Sequence, residues 1–164
     1  MTTEVVRADV EDWAAVREIR LRALADAPDA FASGLADERG RAESEWRDRL
    51  ASPDARTFLA LDDGDPVGLV TVYRDPDDRA RAHLVSLWVS PGQRRRRVAT
   101  TLTEAVLDWA RTTDVQAVDL WVTETNAGAR ELYERCGFVD SGQRQPLPSH
   151  PHLQEMAMRR TIPA

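Results

Sequence analysis

Four consecutive arginines, Arg94 to Arg97, interrupt the stretch VSPGQRRRRVATTLTEAVLDWA at the point where a strand-like run gives way to a helix-like one. The first amides of a helix have no partner inside it, and the helix dipole places partial positive charge there, so such a junction can hold an anion. Each guanidinium adds a planar fork of donors that matches phosphate oxygens. Taken alone, the run fits a phosphate cradle, a solvated helix start or a nucleic-acid contact. A second pair of groups lies downstream in NAGARELYERCGF, where Asn126 and Tyr133 stand seven residues apart. That is about two helical turns, which puts both on nearly one face. Asn126 can cap its helix or touch a ligand; Tyr133 can pack or donate a proton. The lone Cys136 has no evident histidine partner and reads as a small residue at a helix end, not as a nucleophile.

The elements that must position these groups follow from periodicity. TEVVRA alternates like an edge strand, and VEDWAAVREIRLRALADA then takes helical spacing through Val10, Trp13, Val16, Ile19 and Leu24, with its arginines projecting from the other face and Asp9 as N-cap. ADERGRAESEWRDRLAS reads as one thin amphipathic helix held by Trp46 and Leu50 and ended by Pro53. Two apolar runs around DDGD form a hairpin, with Gly64 supplying the turn. AHLVSLWVS, apolar on both faces, is a central strand stopped by Pro91 and Gly92. From Arg94 a helix buries Val98, Leu102, Val106 and Trp109; QAVDLWV is a strand, NAGARELYERC a helix ended by Gly137, and GFVDSGQRQ and LQEMAMRR are strands around a Pro-rich loop. The order is α/β with mixed parallel and antiparallel pairing.

Composition excludes several classes. The 164 residues fit one domain spanning 1–164, and 42% hydrophobic with 30% charged residues is ordinary for a soluble globular chain. A net charge of -6 argues against a general nucleic-acid binder. No apolar run is long enough for a membrane helix and the N-terminus lacks a signal-peptide pattern, so a cytoplasmic location is expected. One cysteine and no Cys/His cluster leave no disulfide framework and no metal site.

From Leu84 to Phe138 the chain resembles the GNAT superfamily of acyl-CoA-dependent N-acyltransferases. The family's strand-turn-helix motif runs V-x-P, two residues, then Arg or Gln-x-x-Gly-x-Gly or Ala. Val89 and Pro91 set the register, Arg94 takes the first motif position and Ala99 the last, while Arg97 replaces the usual first glycine. The later block of Asn, aromatic and Gly-Phe is matched by Asn126, Tyr133 and Gly137–Phe138.

The resemblance implies a twisted mixed sheet of about six to seven strands flanked by about four helices. It implies acetyl-CoA as acyl donor, with the pantetheine arm along the backbone at Leu87 and Val89 and the pyrophosphate on the amides of Arg94, Arg95, Arg96, Arg97, Val98, Ala99 and Thr100. Among the side chains, Arg94 and Arg95 would face the pyrophosphate and one of Arg96 or Arg97 the solvent or the 3′-phosphate. Asn126 would contact pantetheine and Tyr133 would protonate the departing thiolate. Relatives often carry a strand carboxylate as general base; the strand Leu84–Val89 has none, which leaves His83 and Glu124. The acceptor, a small-molecule or peptide amine, would meet Phe31, Trp46 and His150. A homodimer is expected, with no nucleic-acid or membrane partner. The rival readings are a CoA-binding regulatory or inactive domain, and a nucleic-acid module built on the arginine run.

Overall fold

The structure is a computed structural model that describes residues 3–28, 31, 34–94 and 97–163. Seven strands, β1 (Thr3–Arg7), β2 (Ala55–Asp62), β3 (Asp65–Arg74), β4 (Arg81–Val89), β5 (Ala117–Thr123), β6 (Val139–Leu147) and β7 (His150–Thr161), form one sheet in the order β1-β2-β3-β4-β5-β7-β6. All neighbours are antiparallel except β4 and β5, which are joined through a helix and run parallel. β4 is therefore central, as its two-sided apolar sequence predicts. Asp63 and Gly64, with φ of 50° and 88°, close the β2–β3 hairpin, a turn in which both central residues must take positive φ.

Helices cover both faces. α1 (Trp13–Asp26), α2 (Leu35–Arg39) and α3 (Glu43–Ala51) lie on one side, where Ile19, Leu24 and Trp46 pack with Leu59, Leu69 and Trp88 of the sheet. α4 (Val98–Arg111) and α5 (Ala127–Arg135) cover the other, where Leu102, Val106 and Leu132 pack with Val70, Leu84 and Leu120. Each such buried side chain contributes about 1.5–3 kcal/mol of hydrophobic stabilisation. Among the described residues no helix is long and apolar enough to cross a membrane.

Three local expectations are corrected. The single helix expected over ADERGRAESEWRDRLAS is two, α2 and α3, because the chain breaks at Gly40 and restarts after the extended Ala42. Arg20, expected on the solvent face of α1, turns inward, with a side chain only 14% exposed, because Glu38 of α2 meets it there. The Pro-rich segment is strand nearly throughout: Pro146 pairs with Gln154, which is tolerated because β6 is an edge strand and proline's missing donor need not face a partner.

Gly137 ends α5 with φ of 89°, and a Cβ there would lie 2.9 Å from Arg160 Nε. Gly137→Ala is expected to cost about 1–2 kcal/mol, the penalty of left-handed backbone for a residue with a Cβ. Denaturant unfolding checks this, and Gly137→Asn should lose less, since asparagine tolerates that conformation.

Candidate active site

β4 and β5 pair only from Arg81 to His83 against Ala117 to Asp119. Past that point a bulge in β4, where Leu69 faces Trp88 but Thr71 faces Val85, puts Ser86 at φ 61° and carries the strand away from β5. A groove of about 730 Å³ opens in the gap. Leu87 and Val89 form one wall, Asn126, Leu132 and Tyr133 of the α5 segment another, and Arg97 to Thr100 its end.

That end is a helix start. Arg97 is the N-cap of α4, with φ 61° and ψ 16° and no side-chain cap, so the first-turn amides of Val98, Ala99 and Thr100 have no partner within the helix. The first turn bond runs from the Thr101 amide to the Arg97 carbonyl at 3.0 Å. Arg97 thus holds a left-handed backbone, the conformation that glycine adopts most easily. Replacing it tests whether backbone shape or side chain matters. Arg97→Gly should keep folding stability within about 1 kcal/mol, since strain relief of roughly 1–2 kcal/mol is offset by glycine's unfolded-state freedom. If the groove takes the acetyl-CoA that the family resemblance implies, the β-branched Arg97→Val should weaken its binding about tenfold, read by titration calorimetry.

Arg94 lines the same groove, but its side chain is partly engaged: Nε donates to the Val89 carbonyl at 3.0 Å and Nη2 to Asp26 at 2.6 Å. Asp26 also accepts the Trp88 indole N–H at 2.9 Å, and these two hydrogen bonds, the indole's first, hold its carboxyl below the usual range. Arg94 therefore ties α1 to the end of β4. Arg95 and Arg96 lie outside the described residues.

Asn126 caps α5 by accepting the Ala129 amide at 3.2 Å, while it and Tyr133 both line the groove. Tyr133 is buried, with its ring edge-on to Phe138 at 5.7 Å. Burial, with a smaller push from Cys136, moves its phenol well above the ordinary tyrosine value. The hydroxyl stays protonated and can only donate to an anion beside it.

The remaining expected residues lie elsewhere. His83 is bound to Asp75 at 2.8 Å and stacks on Tyr73 at 5.0 Å. Glu124 is ion-paired to Arg144 at 2.6 Å on a half-exposed surface. Phe31, Trp46 and His150 gather on the α1–α3 side: Trp46 walls a second cavity of about 410 Å³, Phe31 lies 5.5 Å from the Arg20 guanidinium, and Ser149 links His150 (3.0 Å) to the Phe31 carbonyl (2.5 Å). This cavity touches β4 at Val85 and Ser86, the residues next to Leu87 in the groove. The two spaces therefore meet β4 at its bulge.

Sequence reasoning missed the polar wall of the second cavity. Glu38 is fully buried and holds Arg20 at 3.2 Å, Arg41 at 3.0 Å and Arg49 at 3.2 Å. Burial pushes its carboxyl up, but the guanidiniums of Arg20, Arg49 and Arg41 outweigh burial and hold it below its ordinary value. A signal was present: Glu38, Arg41 and Glu45 lie at helical spacings, yet nothing local tells that Arg20, eighteen residues earlier, completes the cluster.

The sequence pattern of the acetyltransferase (GNAT) family matches residues 13–138, and the chain belongs to that family. It is similar to the mycothiol acetyltransferase of Beutenbergia cavernae, with 34% identity over 132 residues that cover 80% of this chain and 42% of that protein. The chain spans less than half the length of the curated mycothiol acetyltransferases that it matches. In three dimensions it is similar to a GNAT-family acetyltransferase from Streptococcus pneumoniae, with a TM-score of 0.85 at 20% identity over 99% of this chain and 100% of that one. It also resembles yncA of Salmonella typhimurium, solved with its cofactor acetyl-CoA, with a TM-score of 0.82 at 17% identity over 100% of this chain and 96% of that one.

Proposed function

We propose that this chain is an N-acetyltransferase that moves the acetyl group of acetyl-CoA to an amine by direct attack in a ternary complex. The observation that carries the reading is the β4–β5 groove, which combines an unpaired strand edge, open first-turn amides and a buried phenol. The amides of Val98, Ala99 and Thr100 suit a pyrophosphate, which is anionic and rich in acceptors. The edge of β4 at Leu87 and Val89 suits the amide-bearing pantetheine arm, as an added strand would.

When bound, acetyl-CoA supplies a thioester whose carbonyl carbon the amine nitrogen attacks, so that a C–N bond forms as the C–S bond breaks. Tyr133 donates a hydrogen bond from its hydroxyl to the sulfur, which leaves as thiolate, and the proton that the amine gives up balances the thiolate as thiol. A free thiol titrates near 8.5 and an ordinary phenol near 10, so Tyr133, raised further by burial, stabilises the thiolate chiefly as a strong hydrogen-bond donor. The amine must lose a proton as well. His83, beside the Tyr73 wall of the acceptor cavity, is better placed for that than Glu124, which Arg144 engages.

The test is steady-state thiol release from acetyl-CoA with a broad amine panel, with the product confirmed by mass. Amine-dependent release with one acetyl group added per acceptor supports the reading. Tight acetyl-CoA binding without transfer to any amine contradicts it and favours a regulatory CoA-binding domain.

A further inference from the structure

The acceptor cavity has a chemical bias. Two of its lining residues, Arg20 and Trp46, carry N–H donors (Nε and Nε1) that are buried out of reach of solvent and have no partner among the described residues. It includes Arg49, whose guanidinium gives one bond to Glu38 and lies 5.1 Å from the Trp46 ring, leaving the rest of its fork without a bond among the described residues. The lining carboxylate, Glu38, is already shared by three guanidiniums. The cavity thus offers surplus positive charge and surplus donors where a cationic acceptor would need the reverse. The donors within a ligand's reach are those of Arg49, whose side chain is 42% exposed, and a ligand that brings acceptor oxygens can occupy them.

The polar groups also have a direction. Arg20 bonds the Ser86 hydroxyl on the β4 bulge and Glu38, and Glu38 bonds Arg49, so a hydrogen-bonded chain runs from the bulge to the Arg49 and Trp46 end. Ser86 adjoins the groove in which the proposed function places the acetyl donor.

Resting on that reading, we propose that the acceptor is a small amine that also carries a carboxylate, an amino acid or amino-acid-like molecule, held with its carboxylate on the Arg49 guanidinium and its amine at the bulge by Ser86. Walls of Val16, Leu50 and Leu69 favour an apolar substituent between the two ends. A polyamine or aminoglycoside, by contrast, would place further cations against Arg20 and Arg49.

The experiment uses the full chain with saturating acetyl-CoA and follows thiol release with leucine, leucinamide and 3-methylbutylamine, then with other amino acids each set against its amide. The best amino acid should exceed its amide by about tenfold or more in kcat/KM, because the charged carboxylate bonds are lost in the amide. Arg49→Ala should erase that preference mainly through KM, and Arg49→Lys should restore part of it. If Arg49→Ala does not fold, Arg49→Gln carries the same comparison. Amides or simple amines used as well as amino acids, or an unchanged preference in the Arg49 variants, would overturn the assignment of the acceptor while leaving acetyl transfer intact. No thiol release with any amine would overturn both.

Discussion

Tyr133→Phe is expected to lower kcat by about 10²-fold or more while leaving acetyl-CoA affinity within a few-fold, because a positioned proton donor contributes roughly 10²–10⁴-fold to a reaction of this kind. The phenylalanine ring keeps the edge-on contact with Phe138 and the packing on α5, so the fold should survive. The pH profile carries a second test. Burial raises the phenol, so Tyr133 remains protonated as pH rises, and the wild-type rate should show no falling limb from this residue below about pH 10. Activity within twofold of wild type in Tyr133→Phe would reduce Tyr133 to a packing residue and leave the departing thiolate without its hydrogen bond.

The largest stability effect is expected at Glu38. Glu38→Gln removes the carboxylate that Arg20, Arg41 and Arg49 share and leaves the Arg20 guanidinium buried without its counter-charge. Breaking a buried ion pair from one side typically costs about 3–5 kcal/mol. For a domain of this size that lowers Tm by on the order of 10 °C. Replacing the pair together, as Glu38→Leu with Arg20→Leu, should recover much of the loss, since two apolar side chains need no counter-charge. The sign of the pH dependence follows from the depressed carboxyl: its stabilisation is present above the ordinary carboxylate range and is lost as pH falls through the folded value. Thermal unfolding between about pH 3 and 7 should therefore show a shallower acid limb in Glu38→Gln than in wild type. Equal acid limbs would mean that Glu38 is not the charge that the cluster is built around.

The parts of the fold that the sequence shows are those set by period and by local turn chemistry. Alternation around DDGD places the β2–β3 hairpin, and the spacing of Val98, Leu102, Val106 and Trp109 places α4 against the sheet, with Trp109 partly buried where it packs on the core. The groove was legible for the same reason, since Val89, Pro91, Ala99, Asn126 and Tyr133 lie in two short segments whose spacing is local. Arg97 departs from the expected glycine in type yet takes a left-handed backbone that glycine adopts most easily, which composition cannot show. Of the second cavity only Trp46 was legible, and its polar wall was not. Arg20, Glu38, Arg49 and Ser86 come from four elements, and only the crossing of α1 over the bulge of β4 joins them. Periodicity assigned Arg20 to solvent because arginine on an amphipathic helix usually faces water, and a long-range ion pair reversed that preference. The Pro-rich segment misled for a related reason: proline argues against a strand interior but not against an edge, and edge position is a property of the whole sheet.

Thermal unfolding of the purified chain with acetyl-CoA, with CoA and with ADP as a control shows whether the β4–β5 groove binds the acyl donor. If the β4–β5 groove holds the acyl donor, ligand at about 100 times its dissociation constant should stabilise the fold by about 2.7 kcal/mol, raising Tm by roughly 5–10 °C for acetyl-CoA and CoA but not for ADP at the same concentration. Unchanged Tm at millimolar acetyl-CoA, or a shift that ADP reproduces in full, would leave the groove without its proposed ligand.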